Sequence, residues 1–240
     1  MRFRLLLPAL LGALLAAACG AGNEEIVARN LTLQFTPSAS QTLRYKVTQE
    51  NDVTGACDLN VAKKGPDLAL TQSCEGGGFK DNVTVLADPG SFHPKSVERT
   101  IEGSAGSVTC GATYGDGTLT VKWTSGDDER TSTLDVPAEA YDSWADLFLW
   151  GSLNLAAGVE ERYTDVGSCT QQRSDPKLVG VRLDVKSREQ IQVPAGQYDV
   201  WRVEVHSEGR TQTVWYSADD KHILVRYDNG SQVFELESGN

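Results

Sequence analysis

The sequence has little of several residue types that common active sites require. It contains three histidines and one methionine in 240 residues. It also lacks the HExxH, DxDxDG, GxSxG and GxGxxG patterns of metalloproteases, calcium loops, serine hydrolases and dinucleotide-binding folds. His93 precedes a proline, His206 lies on the polar side of a predicted strand and His222 lies at a strand start, which are positions typical of turn or surface histidines. The sequence therefore predicts no catalytic residue, no metal site and no cofactor, and hence no enzyme.

Basic side chains are also fewer than acidic ones. The chain has 22 Lys and Arg against 33 Asp and Glu, a formal net charge of -11. Arg2 and Arg4 lie in the first eighteen residues, so 20 basic side chains remain against 33 acidic ones once that segment is removed. A chain of this charge is repelled by a nucleic-acid backbone and by an anionic bilayer surface. Nucleic acid is therefore excluded as a partner, and the sequence names no protein partner.

Long apolar runs are missing except at the amino terminus. Two arginines precede the apolar residues 5–18, which end in Ala16-Ala17-Ala18-Cys19-Gly20. This junction resembles the lipobox of bacterial lipoproteins, in which the signal peptide is removed and the cysteine is acylated, for example with palmitate. The motif usually has Leu where Ala16 stands, and Ala16-x-Ala18 also suits ordinary secretory cleavage.

The leader divides the chain into three parts. We predict a signal peptide at 1–18, a lipidated tether at 19–30 that begins at Cys19, and a single β-rich domain at 31–240. Neither the lipoprotein nor the plain secretory alternative leaves a transmembrane helix. The predicted location is the bacterial cell envelope, with the lipid on Cys19 as the contact to the membrane.

Most of the remaining chain alternates between apolar and polar residues, which indicates half-buried strands. Leu43, Tyr45 and Val47 share one face of the first predicted strand. Turn signals such as Asp116-Gly117 and Asp228-Asn229-Gly230 separate later strands. The C-terminal third has the clearest alternation. The pattern predicts a mainly β fold built on one large antiparallel sheet.

One segment, 137–155, departs from this pattern. Its sequence PAEAYDSWADLFLWGSLNL has apolar residues three or four apart, the spacing of one helix face. Asp135 can cap the preceding turn, and Pro137 suits the first helical position. The segment therefore predicts one aromatic-faced helix packed on the sheet.

Five cysteines are present, of which Cys19 is assigned to the lipid. Cys57 and Cys74 are symmetric about Gly65-Pro66, so a hairpin turning there places them opposite each other. A disulfide is favoured in an exported protein, over two free buried thiols or a zinc site. By elimination, Cys110 pairs with Cys169, although four cysteines allow three pairings.

Several motifs together resemble a family of bacterial envelope domains of unknown function, numbered 3108. They are Phe92-His93-Pro94-Lys95-Ser96, the aromatic segment with Tyr141-Asp142, Val193-Pro194-Ala195-Gly196-Gln197-Tyr198-Asp199, and Trp215-Tyr216-Ser217. The resemblance covers roughly residues 91–237. It implies a curved antiparallel sheet, a half-barrel or β-roll similar to lipoprotein carriers, wrapped around the helix. It implies no catalytic residue, and the four paired cysteines are not part of the family pattern.

Two classes of function fit these features. In the first, sheet and helix enclose an apolar cavity for an acyl chain or similar ligand, lined by Trp144, Leu147, Phe148, Trp201 and Trp215. In the second, the same rings fill the core of a structural or protein-interaction lipoprotein that takes no ligand. The VPAGQYD segment is either a turn or a ligand-binding loop. The two classes differ in the empty volume between the helix and the sheet.

Overall fold

A computed structural model describes residues 23–50, 52–104, 106–170 and 174–239 of the chain. The predicted signal peptide and the predicted acylation site Cys19 lie outside the described residues. Within these residues the secondary structure is almost entirely β, as the alternation predicts. No helix in this part of the chain combines the length and the apolar character that a membrane span requires.

Fifteen strands form one sheet across the described residues. The strands are β1 (Gln41–Gln49), β2 (Asp52–Lys64), β3 (Asp67–Gly76), β4 (Phe79–Ala87), β5 (Pro94–Gly103), β6 (Gly106–Gly115), β7 (Thr118–Ser125), β8 (Asp128–Asp135), β9 (Tyr141–Asp142), β10 (Glu160–Gly167), β11 (Lys177–Val193), β12 (Gly196–Ser207), β13 (Arg210–Ser217), β14 (Leu224–Asp228) and β15 (Val233–Gly239). Their order is β8-β7-β6-β5-β4-β3-β2-β1-β15-β14-β13-β12-β11-β10-β9. All pairs are antiparallel except β9 with β10. The predicted single antiparallel sheet is confirmed.

Local sequence explains the regular strands and their tight turns. In β1 the side chains of Leu43, Tyr45 and Val47 are buried and their neighbours are more exposed, which matches the predicted faces. Between β6 and β7, Asp116 and Gly117 both have positive φ, 50° and 75°. A two-residue turn of this kind requires positive φ at both positions, and Asp-Gly adopts it readily. The sequence therefore sets the hairpin register.

The sheet is curled so far that strands near its two edges meet. Tyr114 of β6 donates a hydrogen bond from Oη to Oδ2 of Asp142 in β9, at 2.5 Å. Arg99 of β5 donates from Nη1 to the carbonyl oxygen of Cys169, which follows β10, at 2.7 Å. We call this junction of side chains the seam, and its members are Arg99, Cys110, Tyr114, Asp142, Trp144 and Cys169. It gives the open sheet a barrel-like shape.

Both predicted disulfides are present. Cys57 bonds Cys74, and the two residues lie directly opposite each other in the β2–β3 ladder. Cys110 of β6 bonds Cys169 and therefore crosses the seam. The hairpin symmetry and the assignment by elimination are both confirmed.

The predicted helix over 137–155 is much shorter in the structure. Residues 141–142 form strand β9, helix α1 covers only Asp146–Leu149, and a 3-10 turn follows at Trp150–Ser152. The reason is that the segment passes through the interior, where Tyr141, Leu149 and Leu153 are all buried. An amphipathic helix needs a polar face in water, and this segment has none over most of its length.

The domain begins earlier than predicted, because the end of the proposed tether is packed on the sheet. Val27 donates its N–H to Oγ1 of Thr164, and the hydroxyl of Thr164 donates back to the carbonyl oxygen of Val27, at 2.9 and 2.8 Å. Glu24 forms ion pairs with Arg162 and Arg182 on β10 and β11. From Glu24 onward, the predicted tether is therefore in contact with β10 and β11.

Candidate functional site

Space remains inside the sheet close to α1. An apolar cavity of about 300 Å³ is lined by Val47, Cys57, Cys74, Phe79, Trp144 and Phe234, among others. A polar cavity of about 410 Å³ is lined by Trp144, Asp146, Trp150, Asp165, Tyr227 and Phe234, among others. The two cavities adjoin, because both are lined by Gln72, Trp144, Gln232 and Phe234.

The two cavities lie toward one end of the sheet. Residues at the carboxyl ends of β1 and β3, Gln49 and Gly76, line the apolar cavity. Ser207, at the carboxyl end of β12, lines the polar cavity. The antiparallel ladders bring all three strand ends to the same side of the sheet. We call this side the upper end.

Trp144 lines both cavities, and the seam fixes its position. Its indole N–H donates to the carbonyl oxygen of Cys169 at 3.2 Å. The guanidinium of Arg99 lies 4.4 Å from the centre of its ring, a cation–π contact. Because both the indole N–H and the face of the ring are in contact, the side chain has little freedom to rotate.

Arg99 is itself held rigidly, although it is only 2% exposed. It donates from Nε to Oδ1 of Asp81 at 2.9 Å and from Nη2 to Oδ2 at 2.5 Å. Such a bidentate pair is short, charge-assisted and specific in geometry. A buried charge of this kind is tolerated only because its partner and its hydrogen bonds are complete. Arg99 therefore positions Trp144 and does not carry a free charge.

Three aspartates near Trp144 are buried, and we call Asp142, Asp146 and Asp165 the acid cluster. Asp142 accepts hydrogen bonds from Oη of Tyr114 and from the backbone N–H of Trp144. Asp146 accepts one from Oη of Tyr163 at 2.8 Å, and Tyr163 in turn accepts one from the indole of Trp150 at 2.7 Å. Phenol and indole groups thus orient the carboxyls.

The environment of the acid cluster favours protonated carboxyls. Burial raises the pKa of Asp142, and burial together with the charge of neighbouring carboxylates raises those of Asp146 and Asp165 well above the ordinary aspartate value. No Lys, Arg or His among the described residues forms an ion pair with any of the three. The described part of the chain also has no group of three or more His, Cys, Asp or Glu arranged to hold a metal ion. The cluster can hold protons or accept hydrogen bonds from a ligand.

The structure brings together only part of the predicted ligand site. Trp144 and Leu147 line the polar cavity, while Leu147 and Phe148 line a cavity of about 90 Å³ at the opposite end of the interior. These three residues therefore lie beside empty space, as the cavity hypothesis requires.

The two tryptophans of the C-terminal strands are placed elsewhere. Trp215 alternates with the buried residues Val214 and Tyr216, and it donates from its indole to Oε1 of Glu189 at 2.6 Å. Trp215 therefore lies on the face of β13 opposite to that of Tyr216, and its predicted meeting with α1 is wrong: alternation separated the two faces correctly, but the tryptophan was assigned to the inner one. Trp201 lies directly opposite Tyr216 in the ladder, so the two side chains share a face. Trp201 lines neither the apolar nor the polar cavity, and its place in a ligand site stays a prediction.

The acid cluster was not predicted from sequence. Asp142 and Asp146 are four residues apart inside the aromatic segment. Asp165 shares one face of β10 with Tyr163, and both are buried. The available signal in the sequence was an acidic residue at a position where the helix or strand pattern requires an apolar one. Val193 and Gly196 flank the β11–β12 turn, as the turn interpretation of the VPAGQYD segment predicts. His222 lines the cavity of about 90 Å³, and no histidine lines the apolar or the polar cavity.

Comparisons with known proteins place the chain by fold. The family model described as "Protein of unknown function (DUF3108)" matches residues 40–237, a longer stretch than the motifs alone cover. The β-barrel-like protein of domain of unknown function DUF1849 from Brucella abortus is similar in structure, with 14% identity, 86% of this chain and 99% of that chain covered, and a TM-score of 0.54. A DUF1089 family protein from Pseudomonas aeruginosa has 11% identity, coverage of 81% and 92%, and a TM-score of 0.39, too low to support an argument. The curated proteins contain no match.

Proposed function

The chain belongs to the DUF3108 family of proteins of unknown function, and from the cavities inside its fold we propose that it is a ligand-binding protein of the bacterial cell envelope. It is anchored to a membrane through a lipid on Cys19, and it holds a ligand with an apolar part in the apolar cavity. Binding, and not catalysis, is its role.

The apolar cavity is the observation that carries this proposal. Its volume of about 300 Å³ lies at the lower end of the range of ligand pockets, roughly 300 to 1,000 Å³. Its lining is mainly apolar, with the Cys57–Cys74 bridge, Phe79, Trp144 and Phe234 as walls. Apolar cavities stay dry and bind apolar molecules in preference to water. An acyl chain or a similar group matches this lining.

Export is supported by the leader and by the cysteines. Residues 5–18 followed by Cys19 have the pattern of an acylated leader. Both disulfides join cysteines of the folded domain, and such bridges persist in oxidising compartments outside the cytosol. Acylation predicts that the purified protein carries a modified Cys19 and sediments with membranes. Mass spectrometry of the N-terminal peptide checks this, and membrane association that persists in a Cys19→Ser variant would contradict it.

A structural lipoprotein without a ligand is the second candidate, and the filled middle of the interior favours it. Leu149, Trp150 and Leu153 are almost fully buried, and Oη of Tyr45 donates to the carbonyl oxygen of Leu224 across the interior. These residues hold the sheet and α1 together with no further molecule. On this alternative the apolar cavity is a packing defect.

Filling the apolar cavity separates the two candidates. Val47 is buried in its wall, so Val47→Phe occupies the space that a ligand would need. The matched control is Val53→Phe, the same change at a side chain that is 68% exposed and does not line this cavity. We expect Val47→Phe to weaken uptake of a fluorescent fatty acid on the order of tenfold or more, since about 1.4 kcal/mol of steric cost is already a factor of ten.

The control should bind as the unmodified protein does. If the unmodified protein binds no apolar probe and is purified free of lipid, the binding proposal fails and the structural candidate replaces it. Equal uptake by both variants would place the ligand outside the apolar cavity.

A further inference from the structure

One carboxylate oxygen in the wall of the polar cavity accepts no hydrogen bond from an N–H or hydroxyl group of the described residues. Asp165 is 3% exposed, and no described N–H or O–H group lies within hydrogen-bond distance of its Oδ1. Asp165 lines the polar cavity together with Asp146. A buried polar atom without a partner is costly, and a buried carboxylate is more so. This oxygen therefore has an unused capacity to accept a hydrogen bond from a molecule in the cavity.

Among the described residues, no Lys, Arg or His forms an ion pair with the acid cluster. Arg99, the buried cation nearby, is bound at three of its nitrogens to Asp81 and to the carbonyl oxygen of Cys169. Lys177, the lysine in the lining of the polar cavity, is about half exposed and forms an ion pair with Glu208. The carboxyl group of Asp146 can donate a hydrogen bond to Asp165 only while it keeps its own proton. With no cation from the described residues beside it, the pair favours a state in which at least one carboxyl is protonated.

The walls around this pair suit a cation with an apolar body. Trp144, Trp150 and Tyr227 line the polar cavity, and aromatic faces attract alkylammonium groups. Trp144 and Phe234 also line the apolar cavity, so one molecule can reach from the carboxyl pair into the apolar space. The arrangement matches a positively charged head followed by an apolar chain.

We infer that Asp146 and Asp165 bind the ammonium group of an amphipathic amine whose apolar part occupies the apolar cavity. The inference rests on the proposed function, because it names the head group of the same ligand. The ammonium group donates to Oδ1 of Asp165 and replaces the proton that the two carboxyls otherwise retain. The chemistry is shared by an amine in a lipid head group and by a small soluble amine.

Calorimetric titration with four probes tests this inference. The probes are dodecylamine, dodecanol and dodecanoate, which share a chain and differ in head group, and butylamine, which keeps the ammonium group and loses most of the chain. We expect dodecylamine to bind at least about tenfold more tightly than dodecanol, because a charge-assisted hydrogen bond is worth a factor of this order. Butylamine should bind more weakly than dodecylamine.

The variant Asp165→Asn should remove the preference for the amine and leave dodecanol binding unchanged. Glu208→Gln is the matched control, since it removes a negative charge from the rim of the same cavity without touching the pair. Thermal unfolding first verifies that the variants fold, and Asp146→Asn replaces Asp165→Asn if the latter does not. Loss of the preference in Asp165→Asn alone supports the inference.

The outcomes distinguish this inference from the proposed function. Equal affinity for the three dodecyl probes overturns the ammonium site and leaves the apolar-ligand proposal in place. Equal binding of butylamine and dodecylamine supports the ammonium site and assigns it to a soluble amine, against the apolar-ligand proposal. Absence of binding by all four probes overturns both.

Discussion

The two disulfides connect very different parts of the sheet. Cys57 and Cys74 lie on neighbouring strands whose ladder already pairs ten residues on each strand, and they are 17 residues apart in the chain. Cys110 and Cys169 are 59 residues apart and join strands that share no ladder. The first bridge therefore reinforces contacts that main-chain hydrogen bonds already make. The second supplies, with the other seam residues, a closure that the main chain does not.

This difference shows that two kinds of interaction build the wall around the cavities. Along the sheet, the wall is made of hydrogen-bonded ladders that few single substitutions can break. At the seam, it depends on individual side chains such as Arg99, Tyr114 and Trp144. Single changes at the seam should therefore cost more than equivalent changes within the ladders.

Removing the buried guanidinium at the seam should have the largest effect. Arg99→Met leaves Asp81 buried without its partner, and breaking a buried pair in this way costs about 3 to 5 kcal/mol of unfolding free energy. Arg44→Met is the matched control, since Arg44 pairs with Asp58 between β1 and β2 and its side chain is 41% exposed. An exposed pair contributes at most about 1 kcal/mol. Urea unfolding measures both, and equal losses would contradict a special role for the seam.

Removing the disulfide bridges should show the same difference between the seam and the ladders, with a slightly smaller loss of stability. The chain-entropy model gives about 4 kcal/mol for the Cys110–Cys169 loop and about 3 kcal/mol for the Cys57–Cys74 loop. We expect the pair of changes Cys110→Ser and Cys169→Ser to cost more stability than Cys57→Ser with Cys74→Ser. The seam variant should also change affinity for an apolar probe, because Cys169 holds Trp144. A larger loss from the hairpin bridge would refute the order.

The smallest effect concerns the acid cluster and depends on pH. The pKa of Asp165 is raised by burial first and by Asp146 and Asp142 next, so its proton is bound more tightly in the folded state. Its stabilising contribution is complete below the unfolded pKa of about 3.9 and is lost as pH rises through the folded value. Asp146, Asp142, Tyr163 and Tyr114 are the titratable groups that interact with it, and none is a cation.

Asp165→Asn should therefore be more stable than the unmodified protein at neutral pH. The gain should shrink as the pH falls toward 4, because the carboxyl of the unmodified protein is then protonated in both states. Thermal unfolding at a series of pH values measures this difference. A constant difference across the series would show that Asp165 keeps the same protonation in both states.

Much of the fold could be predicted because strand alternation and turn residues are local. The faces of β1, the Asp116-Gly117 turn and the symmetry about Gly65-Pro66 all depend on residues close in sequence. The helix at 137–155 could not be predicted correctly, since its residues are buried by partners far along the chain. A Cβ on Gly151 would lie 2.9 Å from the carbonyl oxygen of His222 and from the ring of Tyr216, a close approach that no local pattern reveals.

The candidate site was less predictable than the fold. Trp144 and Leu147 were identified because bulky residues recur at helical spacing, whereas Trp215 was added as a tryptophan of a neighbouring strand and lies on the face of β13 opposite to that of Tyr216. The pairing of Asp146 with Asp165 depends on a strand and a helix that meet only after the sheet has curled. Sequence alone gave no reason to join two aspartates 19 positions apart.

The pairing of β1 with β15 has a consequence for how the protein is made. β1 lies in the middle of the finished sheet, yet its neighbour on one side is the last strand of the described chain, with Thr48 opposite Val233 and Leu43 opposite Gly239. Contacts this distant in sequence raise the contact order and slow folding. Until β15 pairs with it, one edge of β1 is an unpaired template on which other chains can assemble. The folding chain therefore depends on β15 to protect that edge from aggregation.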